Sequence, residues 1–273
     1  MKRTHRQSKD RSGWKLISGV VAVSLTLLVL TSIIKEPPRD SSNCKIGTSV
    51  PRSTVLLFDQ SDGVSLQALS EIRNRAQKII RDSTNIDERI SIYSLSGTSR
   101  DSLTPLLSLC KPPATGNRWY QNVNNIEKKF DSLYLKPVMI ALERIPTNSP
   151  TSPITAVLND LSDMEVLKAP KNRLLIFSDM LEHTEDFSLY ACPDTSAVVG
   201  RFRQTRSGAR ERPVYRNTEI VLHLIPRLSM PTRNMICRDK LWLWFFGEMQ
   251  GTDSKLTVNP LPAGSTLPRV PRT

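Results

Sequence analysis

The sequence predicts an α/β protein with a Rossmann-like, doubly wound and mostly parallel sheet that follows one N-terminal transmembrane helix. Short, largely apolar runs recur at 55–58, 173–177 and 219–225, with the composition of strands that are buried on both faces. Amphipathic stretches with helical spacing lie between these runs, and this alternation is typical of parallel sheets. An uncharged segment, residues 16–34, precedes all of these elements.

Residues 16–34 predict a membrane-spanning helix. Their helical length is roughly 28 Å at ~1.5 Å per residue, close to the ~30 Å of a bilayer core. Six Lys and Arg residues lie in the tail 1–15, so the positive-inside rule places this tail in the cytoplasm and the rest of the chain across the membrane. A cleaved signal peptide is the alternative, but the apolar run is long and no small-residue cleavage site follows it. We therefore expect an uncleaved signal anchor.

The rest of the chain fits one domain with a linker before it and a tail after it. Residues 35–52 are interpreted as a linker, 53–251 as the domain, and 252–273 as a Pro-rich tail. Five of the twelve net positive charges lie in residues 1–15, which leaves seven for everything else. A solvated basic surface accounts for that remainder, so we do not expect nucleic-acid binding.

The predicted elements follow one another in a regular order. A strand at 55–58 leads through a polar turn to a helix at 64–81, and a second strand follows at 88–95. Residues 96–122 are rich in Ser, Thr, Pro and Gly and predict a long irregular excursion. The later elements are a helix at 124–144 interrupted by Pro137, a helix from 154, strands at 173–177 and 219–225, an aromatic helix at 235–249 and a short strand at 255–261.

Four cysteines, all beyond the predicted span, indicate disulfides and an oxidising compartment. Their spacing contains no Cys-x-x-Cys pair, so a zinc site is not expected. Three connectivities are open on sequence grounds. We favour Cys44 with Cys110 and Cys192 with Cys237, because each pair brackets a contiguous piece of the domain.

Two buried strands are each followed at once by a carboxylate, Asp59 after the first and Asp179 after the third. If these strands are neighbours, the two carboxylates meet at one edge of a parallel sheet. Like charges at such a distance disfavour joint ionisation unless a cation or a proton compensates, and a shared metal is the simplest resolution. In the alternative, Asp59 caps the following helix and Ser61 satisfies backbone N–H groups at its N-terminus.

These residues resemble the metal-ion-dependent adhesion site of von Willebrand factor A (vWA) domains, in a divergent bacterial branch of membrane-anchored proteins. In that family a first strand ends in Asp-x-Ser-x-Ser, a Thr lies in a later loop, and an Asp ends the fourth strand. The resemblance implies that Mg²⁺ or Mn²⁺ is held by Asp59, Ser61, Thr151 and Asp179.

The match to the family is incomplete at three places. Gly63 stands where the second Ser belongs, so Ser65 or a water would have to replace that ligand. Ser152 or Thr155 could serve in place of Thr151. Met180 stands where the family has a Gly after the final Asp.

The resemblance implies a membrane-anchored protein-binding module, in which a carboxylate from the partner completes the ion site. Together with the predicted span and the basic tail, it leads us to expect a single-pass protein of a bacterial inner membrane, with a cytoplasmic N-terminus and a periplasmic domain. Anchoring by one helix and a short tether suits a subunit of an envelope or mobile-element-encoded assembly. We do not expect an enzyme, because the chain has no Gly-rich phosphate loop and no Gly-x-Ser-x-Gly elbow. The alternatives are a metal-free structural scaffold and an Mg-dependent phosphoester hydrolase that uses the same aspartates.

A second candidate surface joins the Arg-rich stretch within 190–217 to the aromatic helix. A buried stripe of Leu241, Trp242, Phe245 and Phe246 would leave Trp244 facing outward. The basic run could contact acidic lipid headgroups or an acidic protein, and a solvated loop is the alternative. The predicted residues of this surface are Arg201, Arg203, Arg206, Arg210, Arg212 and Trp244.

Overall fold

In the computed structural model, the chain divides into two compact units, Met1–Pro38 and Arg39–Thr273. The structure describes residues 14–27, 37–59, 64, 66–95, 103–116, 122–145, 149–210, 212–227, 229–247 and 254–261.

In the first unit, residues 14–27 form a helix with exposed side chains. No helix within the described part of the chain is both long and apolar enough to cross a membrane. Most of the predicted cytoplasmic tail, and residues 28–34 of the predicted span 16–34, lie outside the described residues. The transmembrane helix therefore stays a prediction.

The second unit contains a six-stranded sheet with the order β3-β2-β1-β4-β5-β6. All neighbouring strands pair in parallel except β3, which is antiparallel to β2. The predicted fold class, an α/β protein with a mostly parallel sheet, is confirmed. The strands are β1 (Arg52–Phe58), β2 (Arg89–Ser94), β3 (Leu107–Cys110), β4 (Lys171–Ser178), β5 (Thr218–Leu224) and β6 (Lys255–Pro260).

Helices cover both faces of the sheet because strand side chains alternate between two cores. Val55 and Leu57 pack with α4 and α6 on one face, while Leu56 and Phe58 pack with α1, α2 and α3 on the other. A smaller third cluster joins α5 to α6. The helices are α1 (Leu66–Asp82), α2 (Val123–Phe130), α3 (Lys136–Glu143), α4 (Ile154–Asp163), α5 (Val198–Arg203) and α6 (Thr232–Phe246).

Three local features differ from the predicted elements. The excursion 96–122 contains β3, a short and half-buried edge strand that has no strong apolar pattern. The insertion 190–217 contains α5, whose Val198 and Phe202 are buried. In the helix 124–144, a π-helical turn, Asp131–Leu135, precedes Pro137. The proline ring would crowd the carbonyl four residues earlier in a regular helix, and the wider turn lies at that point.

Both disulfides form with the favoured pairing, which is confirmed. Cys44 is bonded to Cys110 with a Cα–Cα distance of 4.9 Å, and Cys192 to Cys237 with a Cα–Cα distance of 6.6 Å. The first bond ties the predicted linker to the end of β3. Arg39 is also fixed there, since its guanidinium lies 2.7 Å from Asp87. Part of the predicted linker 35–52 is therefore attached to the domain, and the predicted tail 252–273 contributes β6.

Loss of the first disulfide should destabilise the domain. We expect Cys44→Ser with Cys110→Ser to lower the free energy of unfolding by about 2–4 kcal/mol, because the unfolded chain gains the freedom of a long loop. Urea unfolding of residues 39–273 measures this loss, with Cys192→Ser/Cys237→Ser as the matched pair. Loss of the second disulfide should lower the free energy of unfolding by a similar amount, since the entropy of loop closure depends only logarithmically on loop length. An unchanged midpoint in either variant would contradict the expectation.

Candidate functional site

The two predicted aspartates meet at the C-terminal edge of the sheet. Asp59 follows β1 and Asp179 follows β4, and these neighbouring strands pair up to Phe58 and Phe177. Both carboxylates are almost completely buried, at 3% exposure. The backbone N–H of Asp59 donates to the carbonyl of Phe177, so the pairing of β1 and β4 continues to the site.

Two serine hydroxyls converge on Asp59. The Oγ of Ser178 donates to Asp59 Oδ2 at 2.7 Å, and the Oγ of Ser152 donates to the same oxygen at 2.9 Å. Ser178 is the last residue of β4, and Ser152 lies in the loop before α4, where its backbone pairs with that of His183. One carboxylate oxygen and two hydroxyl oxygens are therefore brought together in a buried position.

Asp179 is bound by a cation of the protein itself. Its Oδ2 accepts from Arg227 Nε at 2.6 Å, and its Oδ1 accepts from the backbone N–H of Leu181 at 3.0 Å. Burial raises the pKa of Asp179 to about 6, and the charge of Asp59 adds to this rise, while Arg227 opposes it. The site therefore compensates part of its negative charge with an arginine.

Met180, which stands where the vWA pattern has a Gly, adopts a backbone conformation that glycine favours. Its φ of 61° lies in the left-handed region, which glycine adopts most readily. The side chain is buried, and the backbone N–H donates to Ser178 Oγ at 2.7 Å. The turn that normally contains Gly is thus retained with a methionine, which packs into the core.

Glu182 is a third buried carboxylate at this edge, and the sequence did not identify it as a site residue. The backbone N–H and the hydroxyl of Thr155 both donate to it at 2.9 Å. Burial raises the pKa of Glu182 to about 8, the hydrogen bonds from Thr155 oppose this rise, and the charge of Asp59 adds to it. Its position three residues after Asp179 is the only sequence signal that pointed to it.

The remaining predicted ligands are placed as follows. Ser61 lies outside the described residues. Thr151 is exposed, and its carbonyl accepts from the hydroxyl of Ser149. Ser152, the alternative to Thr151, contacts Asp59, whereas Thr155 contacts Glu182. Ser61 and Thr151 as ligands therefore stay predictions, and Ser152 takes the position next to Asp59.

The donor set at Asp59 fits a hard cation. Carboxylate and hydroxyl oxygens are the ligands that Mg²⁺ prefers, and Mg²⁺ keeps several waters when few protein ligands are present. Both oxygens of Asp179 already accept from protein donors, one of them the Arg227 guanidinium. No group of three or more His, Cys, Asp or Glu side chains within the described ranges is arranged to hold a metal ion. Any cation here would depend mainly on Asp59, Ser152 and Ser178.

Part of the second candidate surface, the Arg-rich stretch with the aromatic helix, is brought together in one groove. The buried stripe on α6 is confirmed, since Leu241, Trp242, Phe245 and Phe246 are all buried. The outward orientation predicted for Trp244 is wrong in part, because its ring is half-buried and packs 6.0 Å from that of Phe202. The Arg212 guanidinium lies 5.0 Å from the ring centroid of Trp244 and donates to its carbonyl. One groove of ≈ 780 Å³ brings together four of the six predicted residues: Arg203, Arg210, Arg212 and Trp244.

Two of the predicted arginines do not line this groove. Arg201 lies 5.9 Å from the ring centroid of Phe187, and Arg206 is exposed. The groove is not purely basic, because Arg210 pairs with Asp160 at 2.8 Å.

Comparison with known proteins bears on the fold alone. No protein-family model matches the chain, and no curated protein matches it. Among solved structures, it is similar to the SpRpn10 VWA domain, with 12% identity over 78% of this chain and 89% of that chain, and a TM-score of 0.33. It is also similar to the human COPII-coat protein Sec24c, with 12% identity over 81% of this chain and 31% of that chain, and a TM-score of 0.41.

A third similar structure contains three N-terminal domains of the type V pili tip protein Mfa5 from Porphyromonas gingivalis. The identity is 13%, and the TM-score is 0.30. The match covers 49% of this chain and 20% of that chain, so the chain spans well under half of both this protein and Sec24c. Because these scores are low, the fold assignment depends on the sheet itself. The strand order 3-2-1-4-5-6, with one antiparallel edge, is consistent with a vWA-like fold.

Proposed function

We propose that this chain is a membrane-anchored protein-binding module whose partner contacts the C-terminal edge of the sheet. A divalent cation, Mg²⁺ or Mn²⁺, would be held there by Asp59, Ser152 and Ser178, and a carboxylate of the partner would complete its ligands. The convergence of both serine hydroxyls on one buried carboxylate oxygen carries this proposal. Ser61, in the turn after Asp59, is the further ligand that the vWA resemblance implies.

The role we propose is binding and not catalysis. Asp179 and Glu182 are engaged by Arg227 and Thr155, so neither carboxylate is directed at a substrate as a base or nucleophile would be. The location that we propose is a bacterial inner membrane with the domain in the periplasm. The tail charges, the apolar segment 16–34 and the two disulfides support this location.

A metal-free scaffold is the second candidate, and one observation favours it. The Arg227 guanidinium already supplies a positive charge at Asp179, 2.6 Å from Oδ2. In that case the buried network at this edge would serve to fix the loops around it. The two candidates differ in whether the edge responds to divalent ions.

Calorimetric titration of Mg²⁺ and Mn²⁺ into residues 39–273 distinguishes these candidates. We expect saturable binding that is lost in Asp59→Asn, which removes the negative charge from the site, and weakened in Ser152→Ala, which removes a hydroxyl ligand. Both changes approximately preserve the side-chain size. Glu165→Gln is the matched control, because this exposed carboxylate pairs only with Lys168 among the described contacts. Absence of heat at millimolar ion, with folded protein, would contradict the metal proposal and favour the scaffold.

A further inference from the structure

The edge of the sheet opposite the candidate site is basic. Because β1, β2, β4, β5 and β6 are parallel, their first residues all lie at this N-terminal edge. Four of these five strands begin with a cationic residue, and Arg216 lies two residues before the remaining strand, β5. The four strand-initial residues are Arg52, Arg89, Lys171 and Lys255.

The Arg-rich groove continues onto this same edge. Val214, which is 60% exposed, lines both that groove and a second one that contains Lys168 and Arg216. The second groove is bounded by Asn172 and Thr218, which pair near the beginnings of β4 and β5. We call the combined region the basic edge surface and define it by Lys168, Arg203, Arg210, Arg212, Val214, Arg216 and Trp244.

The composition of the basic edge surface is that of a protein region at a membrane interface. Arginines with long apolar stems lie beside a half-buried Trp and an exposed Val. Two acidic residues beside this surface, Asp160 and Glu165, are paired with Arg210 and Lys168. Lys and Arg near an anionic bilayer each contribute to binding through the surface potential.

The chain also enters the domain at this edge. Cys44 is bonded to Cys110, which lies opposite Arg89 at the start of β2. Arg39 and Lys45 both form ion pairs with Asp87, just before the same strand. The first attached residue of the domain, Arg39, is therefore at the N-terminal edge.

We propose that the basic edge surface lies on the bilayer and binds anionic phospholipid headgroups. This inference rests on the membrane anchoring proposed above. With the basic edge surface on the bilayer, the opposite edge with Asp59 faces away from the membrane, where a partner can reach it.

Hydrogen–deuterium exchange of the full chain in nanodiscs tests the proposal. One set of discs contains phosphatidylcholine, and the other also contains about one third phosphatidylglycerol. We expect peptides within 198–218 to exchange at least about threefold more slowly in the anionic discs. The difference should disappear at ~0.5 M NaCl, because salt screens these contacts.

Charge reversal supplies the matched comparison. Arg203→Glu with Arg216→Glu should abolish the protection, since both side chains are exposed on the basic edge surface. Lys128→Glu with Lys129→Glu makes the same charge change on exposed positions of α2, which packs against the opposite face of the sheet. This control should retain full protection.

Three results would overturn the proposal. Equal exchange in both kinds of disc, with the chain incorporated, would exclude headgroup binding and leave the anchor intact. Protection by a soluble polyglutamate peptide but not by anionic discs would assign the surface to an acidic protein. A chain that does not incorporate into discs at all would overturn the membrane anchor as well as this inference.

Discussion

Glu182→Gln should be more stable than the wild-type domain at pH 8, by on the order of 4 kcal/mol, and about equally stable at pH 5. Burial raises the pKa of Glu182 to about 8, so the folded protein holds a proton that the unfolded chain has released. Glutamine provides the same two contacts to Thr155, accepting from its backbone N–H and donating to its hydroxyl. Glutamine does not ionise, so the variant does not lose this stability as the pH rises.

The sign of this effect follows from the proton count. Between pH ~5 and ~8 the folded state binds one more proton at Glu182 than the unfolded state, so wild-type stability falls by about 1.4 kcal/mol per pH unit from this group. Asp179, with a pKa of about 6, also lowers the stability as the pH rises, at the lower end of this pH range. Burial lowers the pKa of His223 to about 4, so this group makes the folded protein less stable as the pH falls.

Comparing the variant with the wild type isolates Glu182 from the other titrating groups. Urea unfolding of residues 39–273 at intervals from pH 5 to pH 8.5 gives both curves. Glu165→Gln, at an exposed position, should run parallel to the wild type across the range. Parallel curves for Glu182→Gln would show that this carboxyl ionises normally in the folded protein and would contradict its burial in neutral form.

Arg227→Met should destabilise the domain by on the order of 3 kcal/mol at neutral pH. The substitution removes the guanidinium from Asp179 and leaves a carboxyl that is 3% exposed without its cation. The same change removes the influence that lowers the pKa of Asp179, so this carboxyl should retain its proton to a higher pH. The double variant Arg227→Met/Asp179→Asn should recover much of the loss, because position 179 then carries no unpaired buried charge.

The same variant tests how the candidate cation site is organised. If a divalent ion binds near Asp59, Arg227→Met should increase its affinity, since the competing positive charge is gone and Asp179 can act as a ligand once it has lost its proton. Calorimetry with Mn²⁺ on Arg227→Met and on Arg216→Met, an exposed arginine at the opposite edge, makes the comparison. Unchanged stability in Arg227→Met, or an ion affinity that falls, would contradict the role assigned to Arg227.

Local patterns in the sequence were sufficient for the main architecture. The buried strands β1, β4 and β5 are contiguous apolar runs, and an apolar run is a property of neighbouring residues. The positions of Asp59 and Asp179 at one edge follow from the parallel pairing that such strands require. The disulfide pairing followed from which stretches each pair encloses.

The short or half-buried elements could not be identified in this way. Strand β3 has only four residues and one buried side chain, so its pairing with β2 depends on contacts outside its own segment. Helix α5 is a six-residue element whose burial depends on packing against α6. Neither segment carries a periodic pattern long enough to predict its conformation.

The partners within the site were decided only by the tertiary structure. Ser152 is 93 residues from Asp59 in sequence, Ser178 is 119 residues away, and Arg227 is 48 residues from Asp179. The sequence did place both aspartates at the end of a buried strand. Which hydroxyl or cation reaches each carboxylate depends on strand order and on the path of the loops, because a hydrogen bond forms only where folding brings distant segments within about 3 Å.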